Sequence, residues 1–264
     1  MMGVEVREVR ARRALSRSGI YGVDYSLNPF IGCQHACPYC YVPHLYPGLL
    51  RGRRWGAFVD VKVNLPRLLR SEARGGLTVL LSSITDPYQP VEVRYMVTRR
   101  SVEVLVERSA GIVVLTKSPL LKRDLDLLSR SASCEVGVTV TTLRLHRELE
   151  PRAPSPYDRL EALREAREAG LKTFLFLGPL IPGVVERELR DILAEARECG
   201  CGRVVVDRLR AHSPSIVSSI YERLPGELAS TFRARATSRA YYESLKPLIS
   251  RLCRGLGLHV DFCY

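Results

Sequence analysis

Three thiols stand close together in the stretch "NPFIGCQHACPYCYV", residues 28 to 42: Cys33, Cys37 and Cys40, spaced C-x3-C-x2-C. A structural zinc site takes four donors, usually in two pairs. His35 could supply the fourth by composition, but it lies between two of the thiols, and a four-donor chelate in so short a loop would be strained. Iron–sulfur binding suits the spacing better. A cubane of four irons is usually held by four thiolates, so three would leave one iron open to a ligand from outside. On that reading the missing fourth cysteine marks a reaction site. Zinc and three incidental thiols remain the alternatives.

A loop of this kind needs a rigid frame, and the rest of the chain supplies a repeating one. Strand candidates are "LTVLLSS" (77–83), "GIVVLTK" (111–117), "EVGVTVTT" (135–142), "LKTFLFLG" (171–178) and "GRVVVDRL" (202–209), with a first one near "GVDYSLNPF". Each of the five is nearly continuous in apolar residues, as parallel strands buried on both faces require. Helical patterns separate them: "VTRRSVEVLVERSAG", "LLKRDLDLLSRS" after Pro119, "SPYDRLEALREAREAG" and "ERELRDILAEARECG". The third carries Ser155 as a cap, Pro156 at its first position and Gly170 past its end. The alternation predicts an α/β fold, a partial (β/α)6-type TIM barrel with a helical C-terminal extension. The expected layout is a single domain over 1–264, with a barrel core at 21–210. Residues 211–264 should be mainly helical, with a short terminal strand, "LHVDFCY".

In such a barrel chemistry gathers at the C-terminal ends of the strands. Polar residues concentrate there: Ser82, Ser83, Thr85 and Asp86; Thr116, Lys117 and Ser118; Thr139, Thr141 and Thr142; Asp207 and Arg208.

Composition narrows the setting. The 264 residues carry 40 Lys and Arg against 28 Asp and Glu, a formal charge of +12. That excess permits a nucleic-acid partner, although Arg–Glu neighbours in "EALREAREAG" read as a solvated helix face. Arginine dominates, with 35 residues against 5 lysines, and only two Asn and two Gln occur. Few amides and many charges fit a thermophile, and a GC-rich genome inflates Arg as well. No apolar run is long enough to span a membrane. The opening "MMGVEVREVRARRALSRSG" lacks the apolar core of a signal peptide, so a cytoplasmic, reducing location is expected. There, clustered thiols suggest metal or catalysis before disulfides.

With C-x3-C-x2-C just after an early strand in a βα-repeat chain, the sequence resembles the radical S-adenosylmethionine (radical SAM) superfamily. Further blocks narrow the likeness: "TDPYQPVE", "LTKSPLLKRDLDLL", "VTVTTLRLHRELEPRAPSPYDRLEALREAREAGLK" and "PLIPG". Together with the cysteine loop they look like the group related to spore photoproduct lyase, in order from about residue 21 to 183. The resemblance implies one [4Fe-4S] cluster ligated by Cys33, Cys37 and Cys40. It also implies S-adenosylmethionine bound through its amine and carboxylate at the open iron. Reductive cleavage of that cofactor gives a 5′-deoxyadenosyl radical that abstracts hydrogen from a substrate. The electron comes from an unidentified one-electron donor.

The resemblance also places Tyr39 where an aromatic lies near the adenine, and Lys117 where a lysine contacts the cofactor. Ser82, Ser83, Thr139 and Thr141 become candidate hydroxyl partners for its methionyl group or ribose, and Asp86 part of a cofactor or substrate wall. The plain alternatives are packing for Tyr39, a solvated charge for Lys117, ordinary strand threonines, and a rigid Asp-capped turn for "TDPYQPVE". Gly32 is expected to allow tight entry into the loop, Asn28 and Pro29 to set the turn before it, and Glu150 to pair with Arg152. One departure stands out: spore photoproduct lyase uses a cysteine hydrogen donor where this chain has Ser83. A serine O–H is a far poorer hydrogen-atom donor, so repair by that same chemistry is in doubt.

Cys134 reads as core, and Cys199, Cys201, Cys253 and Cys263 as plain buried thiols; a second metal site or a disulfide is the alternative. The leading reading is a radical SAM enzyme, lyase-like, acting on an unidentified substrate with nucleic acid the first candidate. Its rivals are modification of a protein or small molecule, and a non-catalytic zinc or iron–sulfur nucleic-acid-binding protein.

Overall fold

A computed structural model describes residues 3–264. Its strands are β1 (Glu5–Val9), β2 (Leu15–Arg17), β3 (Tyr25–Leu27), β4 (Phe30–Ile31), β5 (Phe58–Lys62), β6 (Thr78–Leu81), β7 (Gly111–Thr116), β8 (Cys134–Val140), β9 (Lys172–Leu180), β10 (Arg203–Arg208) and β11 (His259–Phe262). Eight of them form one sheet in the order β11-β10-β9-β8-β7-β6-β3-β2. Every pair from β3 to β11 is parallel, and only β2 runs against its neighbour. The expected partial barrel is therefore present, and the terminal strand extends it by pairing beside β10.

The reason lies in the strand sequences. Val79, Leu81, Ile112, Val114, Val136, Val138, Leu175, Leu177, Val204 and Val206 are all buried. Helices Val97–Glu107, Pro156–Glu168 and Val185–Glu198 make the crossovers. Ser155 caps the second by accepting from Tyr157 N, as its position predicts. One apolar cluster runs through the molecule from Ala14 to Leu258. After β10 come helices Pro214–Tyr221, Gly226–Arg235 and Arg239–Gly255. Among the described residues no helix is long and apolar enough to cross a membrane.

Two features differ from expectation. A second sheet, β1-β5-β4, flanks the cysteine loop; its β1 is charged and exposed, and gives no apolar signal. The helix expected over "LLKRDLDLLSRS" is a 3-10 turn, Pro119–Asp124, followed by a single α-turn, Leu125–Leu128. Asp124 sits at the junction, fully buried and bonded by Arg99 and Arg123, which draws it inward from a regular helical face.

Candidate active site

The cysteine loop starts where β4 ends, and Gly32 is the hinge. Its φ of +93° suits glycine, and a Cβ there would collide with the Phe58 carbonyl of β5. The loop is then braced from "TDPYQPVE". Thr85 Oγ1 and Gln89 Nε2 donate to Gly32 O at 2.6 and 3.2 Å. Gln34 N donates to Gln89 Oε1 at 2.9 Å, and Val91 N to Gln34 Oε1 at 2.6 Å. Asn28, in the connection between β3 and β4, also ties down a second segment. Its Oδ1 accepts from Ser83 N and Ile84 N, at 2.9 and 3.1 Å, and so clamps the loop after β6. The fourth amide, Asn64, bonds both backbone groups of Ala11. All four side-chain amides of the chain are spent joining backbone segments distant in sequence.

The three thiols are half-buried and unbridged. Burial pushes Cys33 well up, Cys37 up to about 12 and Cys40 up to about 11. They lie close enough for ionisation of one to oppose that of another. Backbone donors face two of them: the His35 main-chain N–H lies by Cys33 and the Val42 main-chain N–H by Cys40. Among the described residues no three His, Cys, Asp or Glu side chains close on a single ion. Zinc–thiolate bonds of about 2.3 Å would hold sulfurs about 3.8 Å apart. Thiolates on separate irons of a cube stand wider, and three thiols that do not close on one ion suit separate irons better than a shared zinc.

Polar groups without partners surround the loop. Both ring nitrogens of His35, Trp55 Nε1 and Ser82 Oγ are buried and unbonded. His35 Nδ1 comes only to 3.5 Å from Asp86 Oδ2, and burial lowers its pKa. Ser82 directly follows β6 with φ +68°, a left-handed conformation uncommon for a non-glycine residue. Lys117 directly follows β7, 5.6 Å above the Tyr39 ring, and its ammonium has no hydrogen bond or ion pair among the described residues.

Other predicted residues are fully engaged. Asp86 accepts from Thr116 Oγ1, Lys117 N and Tyr88 N at 2.6, 2.8 and 2.9 Å. Thr141 Oγ1 donates to Gly178 O at 2.8 Å and also meets Glu150. The Tyr39 hydroxyl donates to Glu150, and burial pushes its pKa well up. Thr139, on buried β8, gives its carbonyl to Arg159 at 2.9 Å. Ser83 Oγ accepts from Asn28 Nδ2 at 3.4 Å, and Ser83 O from the Tyr41 phenol at 2.6 Å.

Glu150 does not pair with Arg152. Its partner is Arg159, at 2.6 Å with both side chains fully buried, because the helix Pro156–Glu168 turns Arg159 into the core. Arg152 bonds Gly56 O instead. Sequence reasoning missed Arg159, Tyr41 and Trp55. An arginine on an otherwise apolar helix stripe was the one available signal. Of the remaining cysteines, Cys199, Cys201 and Cys253 are buried and Cys134 is half-buried, while Cys263 is exposed, contrary to expectation; all are free.

The sequence profile of the Radical SAM superfamily matches residues 27–196. The chain belongs to the radical SAM superfamily. An uncharacterized protein of Methanocaldococcus jannaschii is 35% identical over 187 residues, 70% of this chain and 71% of that one. A radical SAM Nα-GlyT isomerase of Pseudomonas phage M6 is 26% identical over 209 residues, 76% of this chain and 43% of that protein. Among solved structures, spore photoproduct lyase complexed with dinucleoside spore photoproduct superposes with a TM-score of 0.75 at 16% identity. That match covers 97% of this chain and 82% of the lyase, and establishes the shared fold. The cofactors of a radical SAM protein are a [4Fe-4S] cluster and S-adenosylmethionine.

Proposed function

We propose that Cys33, Cys37 and Cys40 hold the cluster, and that this radical SAM enzyme directs a 5′-deoxyadenosyl radical at a carbon–hydrogen bond of a nucleic-acid substrate. Cluster and S-adenosylmethionine supply the radical when bound; the chain binds, orients and shields them. The observation that carries the reading is Lys117. Its unpaired ammonium stands at a strand tip over Tyr39 and stabilises the thiolate forms of Cys37 and Cys40. An ammonium left without a carboxylate of its own suits the carboxylate of the methionyl group. The unbonded Ser82 hydroxyl offers a second polar contact on the same rim.

The Glu150–Arg159 pair fixes the Tyr39 hydroxyl, which holds its ring as a wall of the cofactor site. Asp86 is better read as the tie between loop and β7 than as a ligand contact, since its oxygens are already engaged.

The nucleic-acid reading rests on the charge of +12, on Arg210 beside Tyr41, and on the dinucleoside spore photoproduct bound by the lyase of like fold. A surface cavity of about 410 Å³ beside Ser118 carries Asp158 and Glu161 against Lys122, so a phosphate backbone should approach from the Tyr41 side instead. Ser83 cannot serve as a thiol donor. The Tyr41 phenol, neutral because burial pushes it up to about 12, is the group that replaces it in this reading.

The test is anaerobic. Reconstituted, reduced protein given S-adenosylmethionine should release 5′-deoxyadenosine, and Cys37→Ala should not. Release no greater than in that variant would sink the proposal.

A further inference from the structure

Of the buried polar atoms around the cysteine loop that lack a partner, Trp55 Nε1 can act only as a donor. Trp55 is the chain's sole tryptophan and lies in "RGRRWG", downstream of the cysteines. That turn packs directly on the loop. Gly56, at φ +81°, has no room for a Cβ because the Ala36 methyl stands there, and Arg152 Nη1 pins its carbonyl at 2.8 Å. The indole N–H of that turn lies beside Cys40, buried and without an acceptor. A buried N–H with no acceptor is a standing cost to the fold. A thiol is a weak acceptor; a metal-bound thiolate is a much better one.

We infer that Trp55 Nε1–H donates a hydrogen bond to the Cys40 sulfur once that sulfur ligates iron, and so raises the reduction potential of the cluster. The inference rests on Cys40 being a cluster ligand. Hydrogen bonds to ligand sulfurs draw charge from the thiolate and ease addition of an electron. The Val42 N–H faces the same sulfur, so Cys40 would carry two donors. Trp55 is in this sense a positioning residue: it touches neither substrate nor reacting atoms.

Trp55→Phe removes the N–H and keeps an aromatic ring. Parent and variant are reconstituted, their iron and sulfide measured, and their midpoint potentials determined by EPR-monitored titration. The expected result is equal iron content and a more negative potential in the variant. A second measurement needs no substitution. With 15N placed only in the indole, pulsed EPR of the reduced cluster should show a weak nitrogen coupling, assignable at once because there is one tryptophan. An unchanged potential, or no coupling, overturns the inference and leaves the cluster assignment standing. If the variant fails to load, the labelled parent decides. A parent that binds no iron overturns the underlying reading instead.

Discussion

Two buried polar regions of this protein look alike in composition and differ in closure. In the first, Glu92 and Asp124, both fully buried, meet Arg99 and Arg123. All four carboxylate oxygens there are used. Glu92 takes Thr98 N, Arg99 N and Arg123 Nη2, and Asp124 takes both guanidiniums. In the second, around Cys33, Cys37 and Cys40, an ammonium, an imidazole, an indole and a hydroxyl stand unpaired. Buried polar groups are normally satisfied. The first, closed at its carboxylates and leaving only the Tyr88 hydroxyl unbonded, holds the fold; the second, open at four groups, marks where something else is to be held.

Breaking each region should therefore show in different measurements. The largest expected effect is on the seam between them and the core. Arg159→Ala leaves Glu150 buried and unpaired, which should cost about 3–5 kcal/mol in urea unfolding. In the closed network Arg123→Ala should cost somewhat less, about 2–4 kcal/mol, because Arg99 still serves Asp124 and two backbone N–H groups still serve Glu92. It should leave the affinity for S-adenosylmethionine unchanged.

Lys117→Ala should reverse that pattern. Stability should move by no more than about 0.5 kcal/mol, while S-adenosylmethionine affinity falls at least about tenfold, roughly 1.4 kcal/mol, by equilibrium binding. A loss of stability without a loss of affinity would place Lys117 in the closed class.

The smallest and sharpest contrast is in pH. Burial raises the Glu150 pKa, but Arg159 and Lys117 outweigh it and hold the carboxyl below its ordinary value. Its stabilisation is therefore complete above the usual carboxylate pKa of about 4.3, and is lost as pH falls through the lower folded value. Glu92 is shifted the other way: burial raises it and its donors only partly compensate. Stability from Glu92 falls as pH rises through its raised value. Urea midpoints between about pH 3 and pH 7 should accordingly rise less steeply in Glu150→Gln than in the parent, and more steeply in Glu92→Gln. Equal slopes in the two variants would show that the carboxyls do not differ.

Much of the frame is legible in the sequence. Strands β6 to β10 announce themselves because parallel strands buried on both faces need unbroken apolar runs. The cysteine spacing and Lys117 at a strand tip are local patterns, readable without a fold. What escapes is long-range. The β1-β5 pair joins residues some fifty apart, Glu5 opposite Phe58, and neither partner signals the other. Glu150 has an arginine two residues away, and proximity in sequence suggested Arg152. The helix register instead carries Arg159 inward. Trp55 is unremarkable as a residue type; its meaning comes from Gly56 pressing the turn onto Ala36.

The scarcity of side-chain amides has a bearing on how the protein ages. Deamidation begins when the following backbone nitrogen attacks the amide carbon, and it would turn a neutral clamp into a carboxylate. Asn28, which grips Ser83 and Ile84, is followed by Pro29, whose ring nitrogen carries no hydrogen to lose. The clamp beside the strand tip is thereby placed out of reach of that reaction, and prolonged heating should spare this corner of the molecule.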